Sequence, residues 1–586
     1  METLTTMDTP TTIGLAAAAT TAGAYALYRR LLPKPIPGIP YNHAAVNSLL
    51  GDIPAMIREN SDSSGAEWIV AQAKKHPGPL CQLFMQPLGK PFLLLSDYRE
   101  AQDVMLRRSN EWDRSDWSIE MLSGVGASHH INMKAGPAWK AHRRLLQDLM
   151  TPAFLHTVAA PNIYDSVLGL IQLWDLKAEA SGGRPFSALD DIYDAAMDAV
   201  ISFSFGTAFP HRAVQTQLKS LKDGGEEVLE KAREGAIDGY PIYFPRAAIH
   251  ETIQATYKAS KSIGEVLEFP RARFGWYWKK FVTAEREATR IRHTYIREQV
   301  DAGVERLQAR SHDEAGGEDW VRSAVDLMLD RETKFAAKEG RDPVYWSPTM
   351  RDEVLGFVIA GHDTTSTTML WGLKYLTDAP AVQEKLRAAL RKAHVGAVEE
   401  SRLPTAQEIT HTTIPYLEAV IEEILRLAGT LPILERQCNR DTTVLGHFVP
   451  KGTTMIMLGV GPGITEPGPV VDEASRSQTS QAAAKERGIR AWEVEGMGEF
   501  RPERWLTGEP GAETFDSTAG PMLSFGNGLR GCFGRRLAYV EMRIMITLLI
   551  WRFTLLECPE KLSGYGAMDE LTRKPRDCYV RLGRAA

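Results

Sequence analysis

Cysteine is scarce in this chain. Cys81, Cys438, Cys532, Cys558 and Cys578 lie far apart among 586 residues, an odd set with no CxxC pair. This excludes a disulfide framework and a thiol-paired zinc site, and it suits reduced thiols in a cytosol-facing protein. Free cysteine otherwise behaves as a small hydrophobe, so simple burial accounts for all of them except Cys532. Charge of one sign is lacking too. The 68 Lys and Arg against 74 Asp and Glu leave a net charge of −6, which gives no reason to expect the broad basic face that nucleic acid requires. No internal repeat and no clear linker between 80 and 580 divides the chain, so one large body replaces the several domains that length alone suggests.

Long apolar runs are missing, with one exception. Residues 11–28, TTIGLAAAATTAGAYALY, carry no charge, and Arg29-Arg30 follows. The run is just long enough to span a bilayer but is rich in Ala and Thr, which makes its insertion energy weak. It reads as an uncleaved membrane anchor over 1–32, the two arginines keeping the rest on the cytosolic side, at the endoplasmic reticulum. Glu2, Asp8 and the lack of early arginines disfavour a mitochondrial presequence. Pro33, Pro35, Pro37 and Pro40 make 33–42 a stiff hinge, and 43–586 forms the body.

What is present is mostly helical pattern. Two apolar runs around Pro-Leu-Gly-Lys in 78–97 signal a β-hairpin, residues 114–138 read as a long loop, and PAWKAHRRLLQDLM starts a helix at Pro137. Helical spacing then dominates from 160 to 430. Within it, 347–378 predicts a helix of about 45 Å that crosses the core, with Ser347 as N-cap and Pro348 in its first turn. Residues 461–490, rich in Gly, Pro, Ser, Gln and Ala, read as an exposed insertion with a short helix near its end. The basic-aromatic stretch RARFGWYWKKF, 271–281, reads as a helix that packs its aromatics inward rather than touching lipid.

Cys532 stands apart from the other thiols because of its surroundings, SFGNGLRGCFGRRLA, residues 524–538. A phosphate loop would need a lysine followed by Ser or Thr, and none is there. A nucleophilic cysteine would need a histidine base, which sequence alone does not place. Glycines at 526, 528, 531 and 534 let the backbone turn tightly and approach a flat object, Arg530 can meet an anion, and the following helix N-terminus favours a thiolate. Together these suit a thiolate bound to haem iron.

The string Phe525-Gly526-x-Gly528-x-Arg530-x-Cys532-x-Gly534 resembles the haem-binding signature of the cytochrome P450 monooxygenases, in their membrane-anchored, fungal-like form. Other motifs of that family follow in order. Ala360-Gly361-His362-Asp363-Thr364-Thr365 resembles its oxygen-activation segment, Glu423-Ile424-Leu425-Arg426 its ExxR pair, FRPERW (500–505) its arginine segment, and Trp139-x-x-x-Arg143 the helix that reaches a haem propionate. The resemblance implies a mainly α fold with a small β portion in a single large domain. It implies haem b ligated by Cys532 and cradled by Phe525, Gly526 and Gly534. Trp139, Arg143, Arg436 and Arg530 would meet the propionates, and Asp363 and Thr364 would carry protons to bound dioxygen. Glu423, Arg426 and Arg504 would form a buried charge network holding the cysteine loop. His142 reads equally as solvent-facing, His362 as a bystander, and His129-His130 as a loop pair rather than a metal site.

The implied activity is insertion of one oxygen atom from O2 into a lipophilic small molecule, in specialised metabolism. Too few residues follow Cys532 for a flavin domain, so electrons would come from NADPH through a separate cytochrome P450 reductase docking near Arg143, Arg144, Arg535 and Arg536. A haem-thiolate rearrangement catalyst, a haem sensor and a tethered protein without cofactor are the competing readings.

Overall fold

The computed structural model describes residues 9–59, 65–76, 78–225, 230, 240–309, 320–488, 492–509 and 511–585. Residues 1–8 of the expected anchor and 489–490 of the expected insertion lie outside that set.

The elements that place the functional residues appear in chain order as follows. Helix α1, Thr9–Leu31, leads into strands β1, Leu80–Leu83, and β2, Phe92–Leu95. Next come α2, Tyr98–Leu106, β3, Trp112–Asp113, and α3, Pro137–Leu146. Helices α4, Ala160–Ser181, α5, Leu189–Phe205, and α6, Ala272–Lys279, precede the long α7, Pro348–Thr377. Helix α8, Pro415–Ala428, is followed by β4, Ile433–Cys438, and β5, Thr454–Leu458. Two helices close the set, α9, Gln478–Arg487, and α10, Arg535–Arg552.

The strands β1 to β5 form one sheet in the order β1-β2-β5-β4-β3. β1 and β2 are the predicted hairpin, with Leu80 opposite Leu95, and all four residues of each are buried. Every residue of β5 is buried as well, which is why Thr-Met-Ile-Met-Leu can run without alternation. The sheet stands beside a helical mass whose centre is α7. Its N-terminus forms as the sequence dictates: Ser347 accepts the Met350 N–H, with Pro348 in the first turn. α7 runs 30 residues against α5, whose residues from Asp194 to Phe205 are all buried. Trp174, Phe203 and Trp371 anchor this core with less than 2% exposure. The result is the expected mainly helical fold with a small β portion.

Three expectations change. α1 does form and contains the uncharged run, yet no helix among the described residues is long and apolar enough to cross a membrane. Its alanines and threonines give too little transfer energy, and Thr20 and Thr21 spend their hydroxyls on carbonyls one turn back. The aromatics of 271–281 do not all pack inward: Trp276 does, donating its indole N–H to the Met121 carbonyl, but Phe274, Tyr277, Trp278 and Phe281 are exposed. The segment 461–490 is not merely surface, because Ile464, Arg476 and Ser480 are buried.

Candidate functional site

The cysteine loop is built by its glycines. Gly526 and Gly528 hold φ of +59° and +67°, and a Cβ on Gly528 would run into the Met105 carbonyl oxygen of α2. The Cys532 N–H donates to the Phe525 carbonyl at 2.8 Å, Gly531 N–H to the Gly528 carbonyl at 2.9 Å, and the Ser524 hydroxyl to the Leu425 carbonyl of α8 at 2.6 Å. Gly534 caps α10, so Cys532 sits just before that helix. Four of the five cysteines are buried as expected, and Cys532 alone is exposed. It opens onto a cavity of about 640 Å³ shared with Trp139, Arg143, Phe533, Arg535 and Arg536. Protein otherwise encloses the sulfur, and this burial pushes the thiol's pKa up. The Gly534 and Arg535 N–H groups and the Arg143 guanidinium pull the other way. These are donors and charge placed to favour a thiolate once something compensates its burial.

The predicted cations divide. Arg436 is buried, its guanidinium near Gly526, and its hydrogen bond goes to the Glu435 carbonyl at 2.7 Å. Burial, with Arg114 and Arg530 nearby, pushes its pKa down to about 10. Arg143 lies over the Phe533 ring at 4.6 Å and the Trp139 ring at 5.5 Å. Neither arginine has a carboxylate partner among the described residues. Arg530 does not join them. Its Nε donates to Asp113 at 2.7 Å and a terminal nitrogen to the Met133 carbonyl, so its charge is already neutralised.

Helix α7 meets this loop through Phe357. The Phe357 ring stacks on Phe533 with centroids 6.3 Å apart, and further along the helix Ala360 is exposed while Gly361 and Thr364 are partly exposed. Thr364 Oγ1 donates back to the Ala360 carbonyl at 2.7 Å, as its place in the motif suggests. Asp363 points elsewhere. It is 2% exposed and accepts the Thr572 hydroxyl at 2.9 Å, which in turn contacts Thr367 at 2.8 Å. Burial raises its pKa, against the pull of His362 and Thr572. The expected acid–alcohol pair is therefore split between two faces of one helix.

The Glu423, Arg426 and Arg504 network forms as expected. Arg426 grips Glu423 through two hydrogen bonds of 2.9 and 2.7 Å, and Arg504 Nε reaches it at 2.8 Å. The Trp505 indole N–H, at 2.8 Å, and the Arg501 backbone N–H, at 3.1 Å, complete the cage. Neither was foreseen, although Trp505 belongs to the same string.

A second buried carboxylate was missed. Glu353 of α7 accepts His130 Nδ1 at 2.7 Å, the His130 backbone N–H at 2.8 Å and His142 Nδ1 at 2.7 Å, and His129 Nε2 lies 3.2 Å from it. Burial alone would raise its pKa, but His129 and the bonds from His130 and His142 outweigh that and hold it below the usual carboxylate range. His129, His130 and Glu353 come close enough to hold a metal ion. The Ile131 N–H given to His129 Nδ1 at 3.1 Å, however, places that ring's proton on Nε2, toward Glu353. The cluster is thus a proton-satisfied knot, and His142 is neither solvent-facing nor idle. Gly356 is the sequence signal: a Cβ there would run into the His129 ring.

Comparison with known proteins matches this geometry. The sequence model of the Cytochrome P450 family covers residues 63–461 and 498–569. "Cytochrome P450 monooxygenase TRI13" of Fusarium sporotrichioides is 41% identical over 577 residues, 96% of this chain and 97% of that protein. "Cytochrome P450 monooxygenase xilC" of Penicillium rubens is 37% identical over 95% of this chain and 94% of its own. A shorter match, "Hps1-dma1 cluster cytochrome P450 monooxygenase cyp3.1" of Dothistroma septosporum, is 42% identical over 44% of this chain and 86% of its own. Among solved structures, a cytochrome P450DA haem domain superposes with a TM-score of 0.66 at 19% identity, over 95% of this chain and 99% of its own. The chain belongs to the cytochrome P450 family of haem-thiolate monooxygenases.

Proposed function

We propose that the protein inserts one oxygen atom from O2 into a lipophilic small molecule of specialised metabolism. The observation that carries this reading is Cys532 set beneath the Gly534 and Arg535 N–H groups, with Arg143 beside it and Arg436 near Gly526, both without a carboxylate partner among the described residues. That donor set fits haem b: one sulfur for the iron, and cations for its two carboxylates. Haem held there supplies the electron-rich iron that activates O2.

The chain's own residues do the rest. Arg143 and Arg436, without a carboxylate partner among the described residues, would pair with the haem propionates. Gly526 and Gly534 keep the loop's backbone close, and Phe525 shields the sulfur side, packed on Tyr539 with ring centroids 5.5 Å apart. Thr364 offers a partly exposed hydroxyl on α7, and burial raises the pKa of the neighbouring Asp363 carboxyl. The apolar face of Phe357 and Ala360 suits an apolar substrate. The Hps1-dma1 relative, named for a gene cluster, supports a place in a specialised pathway.

Electrons reach the site from a separate NADPH-dependent reductase. Lys140, Arg144, Arg535 and Arg536 surround the cavity at Cys532 and are exposed, which favours an acidic docking partner. The protein works at the endoplasmic-reticulum membrane, its body on the cytosolic side. The exposed Phe274, Tyr277, Trp278 and Phe281 beside Lys279 and Lys280 support surface contact there.

The test is the spectrum of the reduced protein under carbon monoxide, for wild type and Cys532→Ala. A strongly red-shifted Soret band in wild type alone is expected. NADPH and reductase should then add one oxygen atom to an apolar substrate. A folded wild type that takes up no haem would sink the reading.

A further inference from the structure

Residues 462–497 are passed over by the family model, and most of them, within 461–490, read from sequence as an exposed insertion. Their contacts point inward. At the start of the segment, the Ile464 carbonyl accepts Arg426 Nη1 at 2.8 Å. Near its end, the Gly496 carbonyl accepts Arg504 Nη2 at 2.9 Å. Both guanidiniums also bind Glu423, so the two ends of the segment close on one buried carboxylate.

The middle lies along α2. Arg476 grips Asp97 through bonds of 2.6 and 2.9 Å, with both residues buried, and Asp97 is the N-cap of α2. Six residues further along α2, the Ser477 and Thr479 hydroxyls both donate to Asp103 Oδ2, at 2.6 and 2.7 Å. Arg99 and Glu473 add an exposed pair at 2.9 and 3.0 Å. The far end of α2 is Met105, whose carbonyl oxygen occupies the space a Cβ on Gly528 would need. Helix α2 is therefore wedged between the segment and the turn that leads to Cys532.

We infer that the 462–497 segment positions the cysteine loop. Arg476, acting through Asp97 and α2, sets the Gly528 turn, while Ile464 and Gly496 lock the same segment to the network beneath Ser524. Arg476, Ser477 and Thr479 are positioning residues: they touch neither haem nor substrate. Losing the Arg476 charge leaves the buried Asp97 carboxylate without that partner, beside the buried Glu100 carboxyl. α2 then loses its hold, and Gly528 loses its backstop. The inference rests on Cys532 as the haem ligand.

The test uses holoenzyme carrying Arg476→Met, the double change Ser477→Ala with Thr479→Val, and Asp97→Asn, which keeps the cap acceptor but not the charge. Three quantities are read: haem transfer to apomyoglobin, the ratio of thiolate-type to thiol-type reduced-carbonyl bands, and melting temperature. Arg476→Met and Asp97→Asn should release haem about tenfold faster and raise the thiol-type share while circular dichroism stays native. If Arg476→Met fails to fold, the double variant carries the test, with the same shift at smaller size. Variants that melt earlier yet keep wild-type haem transfer and band ratio would overturn the inference, leaving the segment as a stabilising cover. A wild type without the thiolate-type band would instead overturn the Cys532 assignment, and this inference with it.

Discussion

Glu353 and His142 are joined by a 2.7 Å hydrogen bond that ties α7 to the helix carrying Trp139 and Arg143. Through the same carboxylate, His130 and His129 tie down the loop before α3. One buried anion thus sets three elements whose mutual placement decides where Arg143 and Phe533 stand. A carboxylate in so enclosed a place is stable only because its acceptor sites are filled.

The cluster makes stability pH-dependent. Burial pushes the His129 pKa down to about 4, so folding holds that ring neutral. Between its unfolded value near 6.5 and about 4, the unfolded chain binds a proton that the native state refuses, and stability falls as pH drops through that window. The loss approaches about 3 kcal/mol at the acid end. Melting temperature followed from pH 7 to pH 4 should decline, and His129→Asn should flatten the decline. An unchanged slope in that variant would remove His129 as its source.

Glu541 predicts the opposite slope. It lies on α10, buried, with the Thr365 hydroxyl donating to one oxygen at 3.1 Å and no partner for the other among the described residues. Burial pushes its pKa up to about 8. A raised carboxyl contributes stability that is complete below about 4.5 and is lost as pH rises toward about 8. Glu541→Gln keeps the shape and cannot ionise. It should therefore melt higher than wild type at pH 8 and close to it at pH 5. A variant that melts lower at both would show that the carboxyl itself is needed.

What the sequence made legible follows from how local each signal is. The Cys532 loop, the Glu423 and Arg426 pair and the Ser347 cap are written in a few neighbouring residues, and the structure builds all three. The pairing of Arg530 is not legible in sequence because its partner, Asp113, lies 417 positions away. Glu353 escaped notice for the same reason: its histidine partners are more than 200 positions distant and nothing in their spacing announces them. Composition misled at 461–490. Gly, Pro and Ser look like solvent, yet the two hydroxyls on Asp103 are what hold that stretch down.

The split of Asp363 from Thr364 separates two roles that the motif joins. Thr364→Ala removes a hydroxyl at the open face and should change the affinity of apolar ligands, read by spectral titration. Asp363→Asn sits behind the helix and can still accept from Thr572, so it should leave ligand affinity unchanged and cost no more than about 1 kcal/mol of stability. Its effect should appear in turnover alone, as a changed dependence on solvent isotope. Equal shifts in ligand affinity from both variants would mean that Asp363 reaches the open face after all.

The exposed edge of α6 gives the sharpest prediction about location. Tyr277, Trp278 and Phe281 are each more than 60% exposed, and Lys279 and Lys280 lie between them. An indole and two phenyl rings left in water forfeit several kcal/mol of burial, which a lipid headgroup layer recovers while the lysines meet its anionic charge. No helix among the described residues, α1 included, is long and apolar enough to cross a membrane. The double change Trp278→Ser with Phe281→Ser should therefore reduce sedimentation with vesicles containing anionic lipid by about tenfold or more, while haem content and melting temperature stay unchanged. High salt should weaken wild-type binding in part, through the lysines, and leave the aromatic share. If the variant still binds vesicles as wild type does, the aromatic edge serves another partner and α6 has no part in membrane attachment.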